Sequence, residues 1–575
     1  MASLQRTSSR GRTYWRIVEA YRRADGHPTT RTLRTLGTTA DLLAQLEQAA
    51  RPFAVRSQAV GAVTALTRLA DEFEVPARLD AALAAAGARR QVRDGLTVGQ
   101  SLTAAAIARL CQPSSKRAVA DWAAGTSLPQ WLGVEAAALT SQHFWDQMDV
   151  VPVPAIAEAE LQVVARILAR EAVTPHVLAY DTTNFFTYIA TTTTASTLPE
   201  RGRNKQGRGD LRQLGLALVV AEEGQLPLGH VLYAGARPDV RTFAAVLAPL
   251  RARLQRLLPG PAQLTLVFDQ GAESAANLAA VRAGTGAEVT HYVTALKPSA
   301  HRAWLAEAGP QFAPVTLASG ETVPAWRTRR AVHGAEQTVV ILRSARLAEG
   351  QRRGIQQQLD RALRQLRALS PRPKGGRPAL EARAAAICRR QYLREFLTAE
   401  VTETAQGLRV TPHLDEAARV RLETERLGLR VLATTRDDWT TAQVIDAYRG
   451  QAQVERVFRD LKDPWAGAFR PQHHWTDQKL RVHALIVVLG LLLGRVALRR
   501  AQQRCGFQGT VRSLIQRLSS VRRVLLIYGH GGGRPRVLEQ LDDSCPADAR
   551  QLAEALGALP AAPVPMQPIQ GRGRK

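Results

Sequence analysis

The feature that most constrains the fold is the order of strand-like and helix-like segments in the middle of the chain. Runs of apolar residues predict strands at 176–186, 263–271 and 291–297, and a hairpin over 211–235. Before the second of these strands, "RTFAAVLAPLRARLQRLL" at 241–258 predicts a helix that ends at the following "PG". Strands that alternate with helices after a hairpin predict an α/β fold with one mixed sheet.

The composition adds a large excess of positive charge. The chain of 575 residues has 77 Lys and Arg against 50 Asp and Glu, which gives a formal net charge of +27. With 45% hydrophobic residues it is long enough for roughly two to four domains with buried cores. We expect a polyanionic partner, of which nucleic acid is the commonest. A membrane surface and a GC-rich genome that favours Arg are the alternatives, although composition bias does not explain the deficit of acids.

Cysteine usage and hydropathy predict a cytoplasmic protein without a membrane span. The four cysteines are scattered singly, without the paired spacing of a zinc site. The longest apolar run, "ALIVVLGLLLG" at 484–494, is about half as long as a bilayer requires, so we expect a buried core helix. The first residues lack the continuous apolar core of a secretory signal.

Two aspartates stand where predicted strands end. Asp181 follows "HVLAY" and Asp269 follows "QLTLVF", and small or polar residues come after each. Acids at the ends of sheet strands lie at the edge where α/β sheets bind ligands. Such aspartates also cap turns for structural reasons, which is the alternative for either one alone. Because a hairpin and one helix connect the two strands, we expect the two carboxylates to be neighbours.

The segment "YRGQAQVERVFRDLK" at 448–462 predicts an amphipathic helix. At 100° per residue, four polar side chains share a stripe about 60° wide, beside an apolar stripe. They are Tyr448, Gln451, Glu455 and Lys462. A solvated helix face is the alternative. If Glu455 meets the two aspartates, the three carboxylates need cations among them, and oxygen ligands suit Mg²⁺. Two Mg²⁺ ions, for which Mn²⁺ can substitute, activate water or a 3′-hydroxyl for attack at a phosphodiester.

Taken together, these motifs resemble those of the DDE transposases of bacterial insertion sequences, in the group marked by Y-x-x-R-x-x-x-E-x-x-x-x-x-x-K. The likeness rests on "AYDTTNFF", "GRNKQGRGDLRQLGLALVV", "VFDQGAESAANL" and "DDWTTAQVIDAYRGQAQVERVFRDLK". It covers residues 176–298 and 430–495 strongly. Three of the four signature positions match, whereas Gln451 stands where the family pattern has Arg. We expect an added guanidinium at this position to tighten binding to the DNA backbone.

The resemblance implies an RNase H-like mixed-sheet catalytic core, interrupted after its fifth strand by an α+β insertion domain. It implies that Asp181, Asp269 and Glu455 are the catalytic residues and bind two divalent metal ions. The signature residues Tyr448 and Lys462, together with Gln451 at the departing position, are the expected contacts to the backbone of the element's end.

Separately, residues from about 55 to 150 are predicted to be helical, and "TVGQSLTAAAIARLC", "QPSS" and "KRAVADWAAG" resemble a helix-turn-helix in outline. We therefore expect a mainly helical N-terminal region that binds DNA, and an ordinary alanine-rich helix pair is the alternative.

A basic segment, "RGRNKQGRGDLRQ", follows the first predicted strand. Its five cations lie close in sequence to the first aspartate, which favours a loop that contacts the DNA backbone. A solvated loop is the alternative. The five are Arg201, Arg203, Lys205, Arg208 and Arg212.

The predicted domain map has six parts. They are a basic hairpin-like segment at 1–50, a helical and DNA-binding region at 51–171, the first part of the catalytic core at 172–298, the insertion domain at 299–430, the second part of the core at 431–500, and a C-terminal helical region with a basic, Pro-rich tail at 501–575.

We therefore expect a Mg²⁺-dependent DNA transposase that cleaves the ends of its insertion sequence and joins the 3′ ends to target DNA. The expected partner is double-stranded DNA, both the terminal inverted repeats and the target. A homodimer is expected because two ends must be synapsed. The resemblance implies a bacterial cytoplasmic, nucleoid-associated protein with no membrane partner. An RNase H-like nuclease and a catalytically silent, transposase-derived DNA-binding protein are the alternatives, and a requirement for two ends distinguishes a transposase from a nuclease.

Overall fold

The structure is a computed structural model of the chain. It describes residues 2–9, 11–49, 54–202, 207–257, 264–283, 291–369, 375–405, 407–470, 472, 474–528, 536–542 and 544–559. The predicted DNA contacts Arg203 and Lys205, and the tail from residue 560 onward, lie outside these ranges.

The N-terminal segment is a three-stranded antiparallel sheet followed by a helix. Its elements are β1 Ala2–Ser9, β2 Arg12–Arg22, β3 Pro28–Thr38 and α1 Thr39–Ala49. β2 and β3 confirm the predicted hairpin. Gly26, which lies in the turn between these two strands, has a φ of 83°. β1 is a strand beyond the prediction. Among the described side chains of this segment only Val18 is buried, so the sheet has little core of its own.

Helices fill most of the predicted helical region. Its elements are β4 Ala54–Ala59, α2 Gly61–Glu72, α3 Val75–Ala85, β5 Val92–Arg93, β6 Leu96–Thr97, α4 Val98–Cys111, α5 Val119–Ala124, α6 Leu128–Leu132, α7 Ser141–Asp149 and α8 Val153–Glu171. α4 begins at a capping box between Thr97 and Gln100, which satisfies backbone groups that a helix start leaves unpaired. It is buried along nearly its whole length, so α4 belongs to the core.

The middle of the chain forms one nine-stranded mixed sheet, and the predicted order of elements is confirmed. Its first elements are β7 Val177–Thr187, β8 Arg212–Ala221, β9 Pro227–Ala234, α9 Asp239–Leu257, β10 Thr265–Phe268, α10 Ala275–Arg282 and β11 His291–Leu296. These strands lie side by side in the order β11-β10-β7-β8-β9. β10 runs parallel to both β7 and β11, and β8 runs antiparallel to its two neighbours. Alternate residues of β8 belong to two different buried clusters, so both faces of the sheet are covered.

The predicted insertion at 299–430 contains two different parts. The first extends the sheet beyond β11 and consists of α11 Arg302–Ala308, β12 Ala313–Thr316, β13 Thr322–Val332 and β14 Ala335–Arg343. The second, which we call the lobe, consists of α12 Ala345–Arg367, α13 Gly376–Cys388, β15 Leu397–Thr404, β16 Gly407–Leu414 and α14 Glu416–Glu425. The lobe has its own buried cluster, which includes Ile355, Leu359 and Phe396. β17 Leu429–Thr434 then returns to the sheet between β14 and β11.

Two long helices follow, α15 Thr441–Lys462 and α16 Asp477–Cys505. The predicted apolar stripe of α15 is confirmed, because four of its side chains are buried in the cluster that also holds residues of β7 and β8. They are Val454, Val457, Phe458 and Leu461. Within the described residues, α16 is long and apolar enough to cross a membrane by length and composition, but nearly all of that stretch is buried inside the protein. The predicted core helix at 484–494 is therefore confirmed.

The C-terminal region differs from the helical prediction. It contains α17 Val511–Ser519, β18 Arg522–Tyr528, β19 Arg536–Leu541 and α18 Ala547–Ala555. β18 pairs with β19 on one side and with β4 on the other. The prediction missed these strands because β18 also pairs with β4, more than 400 residues earlier in the chain, and local sequence does not specify such a contact.

Candidate active site

The pairing of β7 with β10 sets the positions of the two predicted aspartates. The strands run parallel with Phe268 opposite Tyr180. Asp269 and Asp181 are the next residues and so come side by side, at a strand spacing of about 5 Å. β10 ends before Asp269, as predicted. β7 continues past Asp181, which agrees with the strand predicted at 176–186 and corrects the expectation that Asp181 stands at its end, because β8 pairs with it as far as Thr187.

Asp269 is held by a hydrogen bond from α15. The Tyr448 hydroxyl donates to Asp269 Oδ1 at 3.1 Å. Tyr448 is 6% exposed, and the Arg430 Cζ lies 4.9 Å from the centroid of its ring. Burial raises the pKa of Tyr448 above its ordinary range, so its hydroxyl remains a donor at neutral pH. Neither this hydrogen bond nor the contact of Arg430 with the Tyr448 ring has a signal in the sequence, because the partners are far apart along the chain.

Glu455 and Lys462 follow Tyr448 along one side of α15. The three are seven residues apart, so each lies about 10.5 Å beyond the preceding one and about 20° round the helix. Lys462 Nζ donates to Thr183 Oγ1 at 2.5 Å. Because Tyr448 bonds to Asp269 and Lys462 bonds to a residue of β7, the helix carries Glu455 between these two contacts. Glu455 is exposed.

Gln451 differs from the other three residues of the predicted stripe. Tyr448 is buried but bonds to a carboxylate, whereas Gln451 is 8% exposed with its side chain inside the protein. A direct contact to DNA needs an accessible side chain. The burial of Gln451 therefore counts against the predicted DNA contact at this position, and the burial of Tyr448 counts against the contact predicted there.

The carboxylates have the right chemistry for a divalent cation, because Mg²⁺ takes oxygen ligands. Asp181 Oδ1 accepts a hydrogen bond from the Thr182 backbone N–H at 2.7 Å, which orients its carboxylate. Across the described residues, no group of three or more His, Cys, Asp or Glu side chains is close enough to hold a metal ion. Glu455 thus stands on the same side of the sheet as the two aspartates without closing a ligand set with them.

In the basic segment between β7 and β8, Arg208 and Arg212 form hydrogen bonds within the protein. Arg208 bonds to both carboxylate oxygens of Asp210 at 2.8 and 2.7 Å. This pairing raises the pKa of Arg208 and lowers that of Asp210 to about 2. Arg212 donates to a backbone carbonyl of the same loop at 2.6 Å. Arg201 is exposed and lines, together with Arg212, a surface cavity of about 420 Å³.

Comparisons with known proteins identify two matching regions. The family described as "Transposase DDE domain" matches residues 187–492, more than half of the chain, and the family described as "IS1634 family transposase, N-terminal domain" matches residues 4–58. The larger match includes Asp269 and Glu455 and begins after Asp181. A comparison with curated proteins finds no match.

One similar solved structure is a cryo-EM structure of the piggyBac transposase synaptic complex with hairpin DNA. The two sequences are 8% identical, and the likeness covers 66% of this chain and 62% of that chain with a TM-score of 0.32. At that score the likeness carries no argument about this protein.

Proposed function

This chain belongs to the DDE transposases, and from that membership we propose that it cleaves the ends of its insertion sequence and joins the 3′ ends to target DNA. The observation that carries the proposal is the parallel register of β7 and β10, which sets Asp181 beside Asp269. α15 packs on the same face of the sheet and carries Glu455 between its contacts to Asp269 and to β7. We assign the catalytic role to these three carboxylates.

The three carboxylates would hold two divalent ions, Mg²⁺ or Mn²⁺. When bound, the ions supply positive charge that stabilises the attacking and leaving oxygens of an in-line displacement at phosphorus. The chain's own residues orient the ligands. The Tyr448 hydroxyl fixes one oxygen of Asp269, and the Thr182 N–H fixes one oxygen of Asp181. Tyr448 is thus a positioning residue.

Two reactions follow from this assignment. In the first, a water oxygen bonds to phosphorus, the bond to the 3′ oxygen of the element breaks, and the flanking strand keeps the phosphate at its 5′ end. In the second, the freed 3′-hydroxyl attacks a phosphodiester of target DNA and releases a target 3′-hydroxyl. Each step exchanges one phosphorus–oxygen bond for another, so catalysis consists of positioning and charge stabilisation.

The strand order β9-β8-β7-β10-β11 supports an RNase H-like core. β7, β8 and β9 form an antiparallel meander, and β10 and β11 run parallel to β7. The excess of positive charge supports double-stranded DNA, both element ends and target, as the partner. The exposed side chains Lys462 and Arg201 are candidates for backbone contacts. A homodimer that synapses two ends is part of the proposal, since coupled joining requires both ends.

The test is cleavage of a labelled element end by Glu455→Gln in Mg²⁺ and in EDTA. The change keeps the size of the side chain and removes its charge, so cleavage should fall by at least about 10²-fold while binding to the end survives. Glu403→Gln is the matched control, because Glu403 is an exposed glutamate on β15 of the lobe. Normal cleavage by Glu455→Gln would overturn the three-carboxylate assignment.

A further inference from the structure

A cavity of about 760 Å³ opens beside Asp269, between the sheet and the lobe. The sheet side contributes Asp269 and Tyr448, together with the residues that follow β11. The lobe contributes the start of α12 and the segment around Tyr392. The cavity therefore adjoins the proposed catalytic centre and has walls from two separately packed parts of the chain.

The walls of this cavity carry more positive than negative charge. The five cations are Lys297, Arg302, Arg394, Arg426 and Arg430, and the two acids are Asp269 and Glu395. Two of the cations have partners, because Arg426 pairs with Glu395 and Arg430 stacks on the Tyr448 ring. The charge of the other three is not offset by a neighbouring side chain.

Lys297, Arg302 and Arg394 are exposed side chains that face this one cavity. Within the part of the chain that the structure describes, none of the three has a side-chain hydrogen bond, ion pair or ring contact. Exposed cations are often merely solvated, but these three converge from the segment after β11, from α11 and from the lobe. Convergence from separate segments on one concave surface is the arrangement that binds an anionic ligand.

The backbone at Tyr392 supports the same interpretation. Tyr392 lines the cavity and has a φ of 69°, in the left-handed region that non-glycine residues rarely adopt. Strained residues of this kind occur at ligand clamps and active sites, where the surrounding structure holds them. The volume lies within the range of about 300–1,000 Å³ typical of small-ligand sites, so the cavity admits a single strand rather than a duplex.

We propose that this cavity binds the phosphates of a single DNA strand next to the cleavage position, with Lys297, Arg302 and Arg394 as the phosphate-binding cations. The proposal rests on the proposed function, because it takes Asp269 as part of the catalytic centre. It adds a single-strand subsite to the duplex contacts expected elsewhere on the protein. An unpaired extension of the DNA should then bind beside the centre and add affinity to a duplex.

The experiment compares the full-length chain with the triple variant Lys297→Gln, Arg302→Gln, Arg394→Gln. The probes are a blunt duplex of arbitrary sequence and the same duplex with an oligothymidine extension, titrated in EDTA at several salt concentrations. For the extended probe, the slope of log affinity against log salt should decrease by about 2 in the variant, since each single-strand phosphate contact contributes about 0.7. The blunt probe should bind both proteins alike.

The matched control is Arg361→Gln, Arg364→Gln, Arg367→Gln, which removes the same charge from exposed positions on α12 of the lobe. An equal loss on both probes, an equal loss in the control, or no loss at all would overturn the proposal. Binding in EDTA requires no cleavage. Normal cleavage by Glu455→Gln would therefore count against the proposed function while leaving this binding result intact.

A second measurement uses the unaltered protein and does not depend on how a variant folds. Lys297 is one of only seven lysines in the chain, so its acylation can be followed by mass spectrometry as a single site. The extended probe should protect Lys297 from acylation, and the blunt duplex should not. Equal protection by both probes, or none by either, would contradict a single-strand subsite.

Discussion

The two halves of α15 present the same polar stripe in different surroundings. In the first half Tyr448 and Gln451 are buried, and in the second half Glu455 and Lys462 are exposed. The two halves also pack in different buried clusters. Tyr448 packs with residues of β13, β14 and β17, whereas the apolar side chains of the second half pack with residues of β7 and β8.

The angular position of a residue on a helix therefore does not by itself determine the role of its side chain. The sheet extension packs in the same buried cluster as Tyr448, and a buried polar group needs a hydrogen-bond partner inside the protein. The partner of the Tyr448 hydroxyl is the Asp269 carboxylate. The second half remains open to solvent, so its charges are available to a metal ion or to DNA.

The largest effect on stability is expected where the second half of α15 is attached to α16. Arg495 donates to Asp460 at 2.5 Å, and both side chains are largely buried. Arg495→Met leaves the Asp460 carboxylate without its cation and should lower the free energy of unfolding by about 3 kcal/mol. The thermal unfolding midpoint of the full chain measures this loss.

The double variant Asp460→Leu, Arg495→Met is the control, because replacing both members of a buried pair with apolar groups recovers much of the loss. The single variant also has a pH signature. Burial already raises the pKa of Asp460, and removal of Arg495 raises it further. Its stability deficit should therefore be full at neutral pH and shrink as the pH falls through that raised pKa. A deficit that does not depend on pH would show that lost packing, not unpaired charge, is responsible.

Tyr448→Phe should have the next largest effect, on cleavage. The hydrogen bond to a carboxylate is worth about 1.5–3 kcal/mol, which corresponds to a decrease in rate of about 10–100-fold. Because Tyr448 acts by positioning Asp269, the Mg²⁺ concentration for half-maximal cleavage should rise while end binding stays the same. Tyr292→Phe is the matched control, since it removes another buried tyrosine hydroxyl, one bonded to Gln337. If both variants cleave alike, Tyr448 has no special role.

The same tyrosine has a defined pH dependence. Its pKa in the folded protein is raised above the ordinary value by burial, so the unfolded chain ionises first. The stability it contributes is complete below the unfolded pKa and declines as the pH rises toward the folded pKa. The ratio of wild-type to Tyr448→Phe cleavage rates should therefore be constant from neutral pH to about pH 10. A ratio that falls by about half as the pH rises from 9 to 10 would indicate a tyrosine of ordinary acidity.

A smaller effect is expected for Gln451→Arg. The sequence alone predicted tighter DNA binding, but the side chain is 8% exposed. Placing a guanidinium there should lower the free energy of unfolding by about 1–2 kcal/mol, partly offset as the long side chain reaches for solvent. Affinity for duplex DNA should not increase. Ala452→Arg adds the same charge at an exposed neighbouring position and should leave the unfolding midpoint unchanged.

Local sequence predicted the core of the fold. The elements from β7 to β11 follow from alternating or continuous apolar runs and from helical periodicity, which act over a few residues. The sequence between the ranges of β18 and β19 includes "GHGGG", a composition that signals a break between two strands. The pairing of β18 with β4 has no such signal, because the partner is more than 400 residues away.

The candidate site also has a part that local sequence predicts and a part that depends on tertiary contacts. That Asp181 and Asp269 are neighbours followed from strand order and is confirmed by the register. The cavity beside Asp269 depends on the lobe, which meets the core only in the folded chain. Asp181 lies inside β7 and not at its end: "DTTN" resembles a turn, but its threonines also favour a strand.

The smallest effect is expected at the exposed end of the stripe, for Lys462→Gln. Its ammonium bonds to Thr183 and lies 5.8 Å from the centroid of the Phe185 ring. The unfolding midpoint should hardly change, since exposed substitutions usually cost less than about 0.5 kcal/mol. The slope of log affinity against log salt for duplex DNA should decrease by about 0.9, the contribution of one phosphate contact. Arg456→Gln is the matched control, because Arg456 is exposed about 100° from Glu455 round the same helix. If both variants lower the slope equally, the whole exposed half of α15 contributes charge without a specific contact. If only Lys462→Gln does, the phosphate contact is specific to Lys462, at the exposed end of the stripe beyond Glu455.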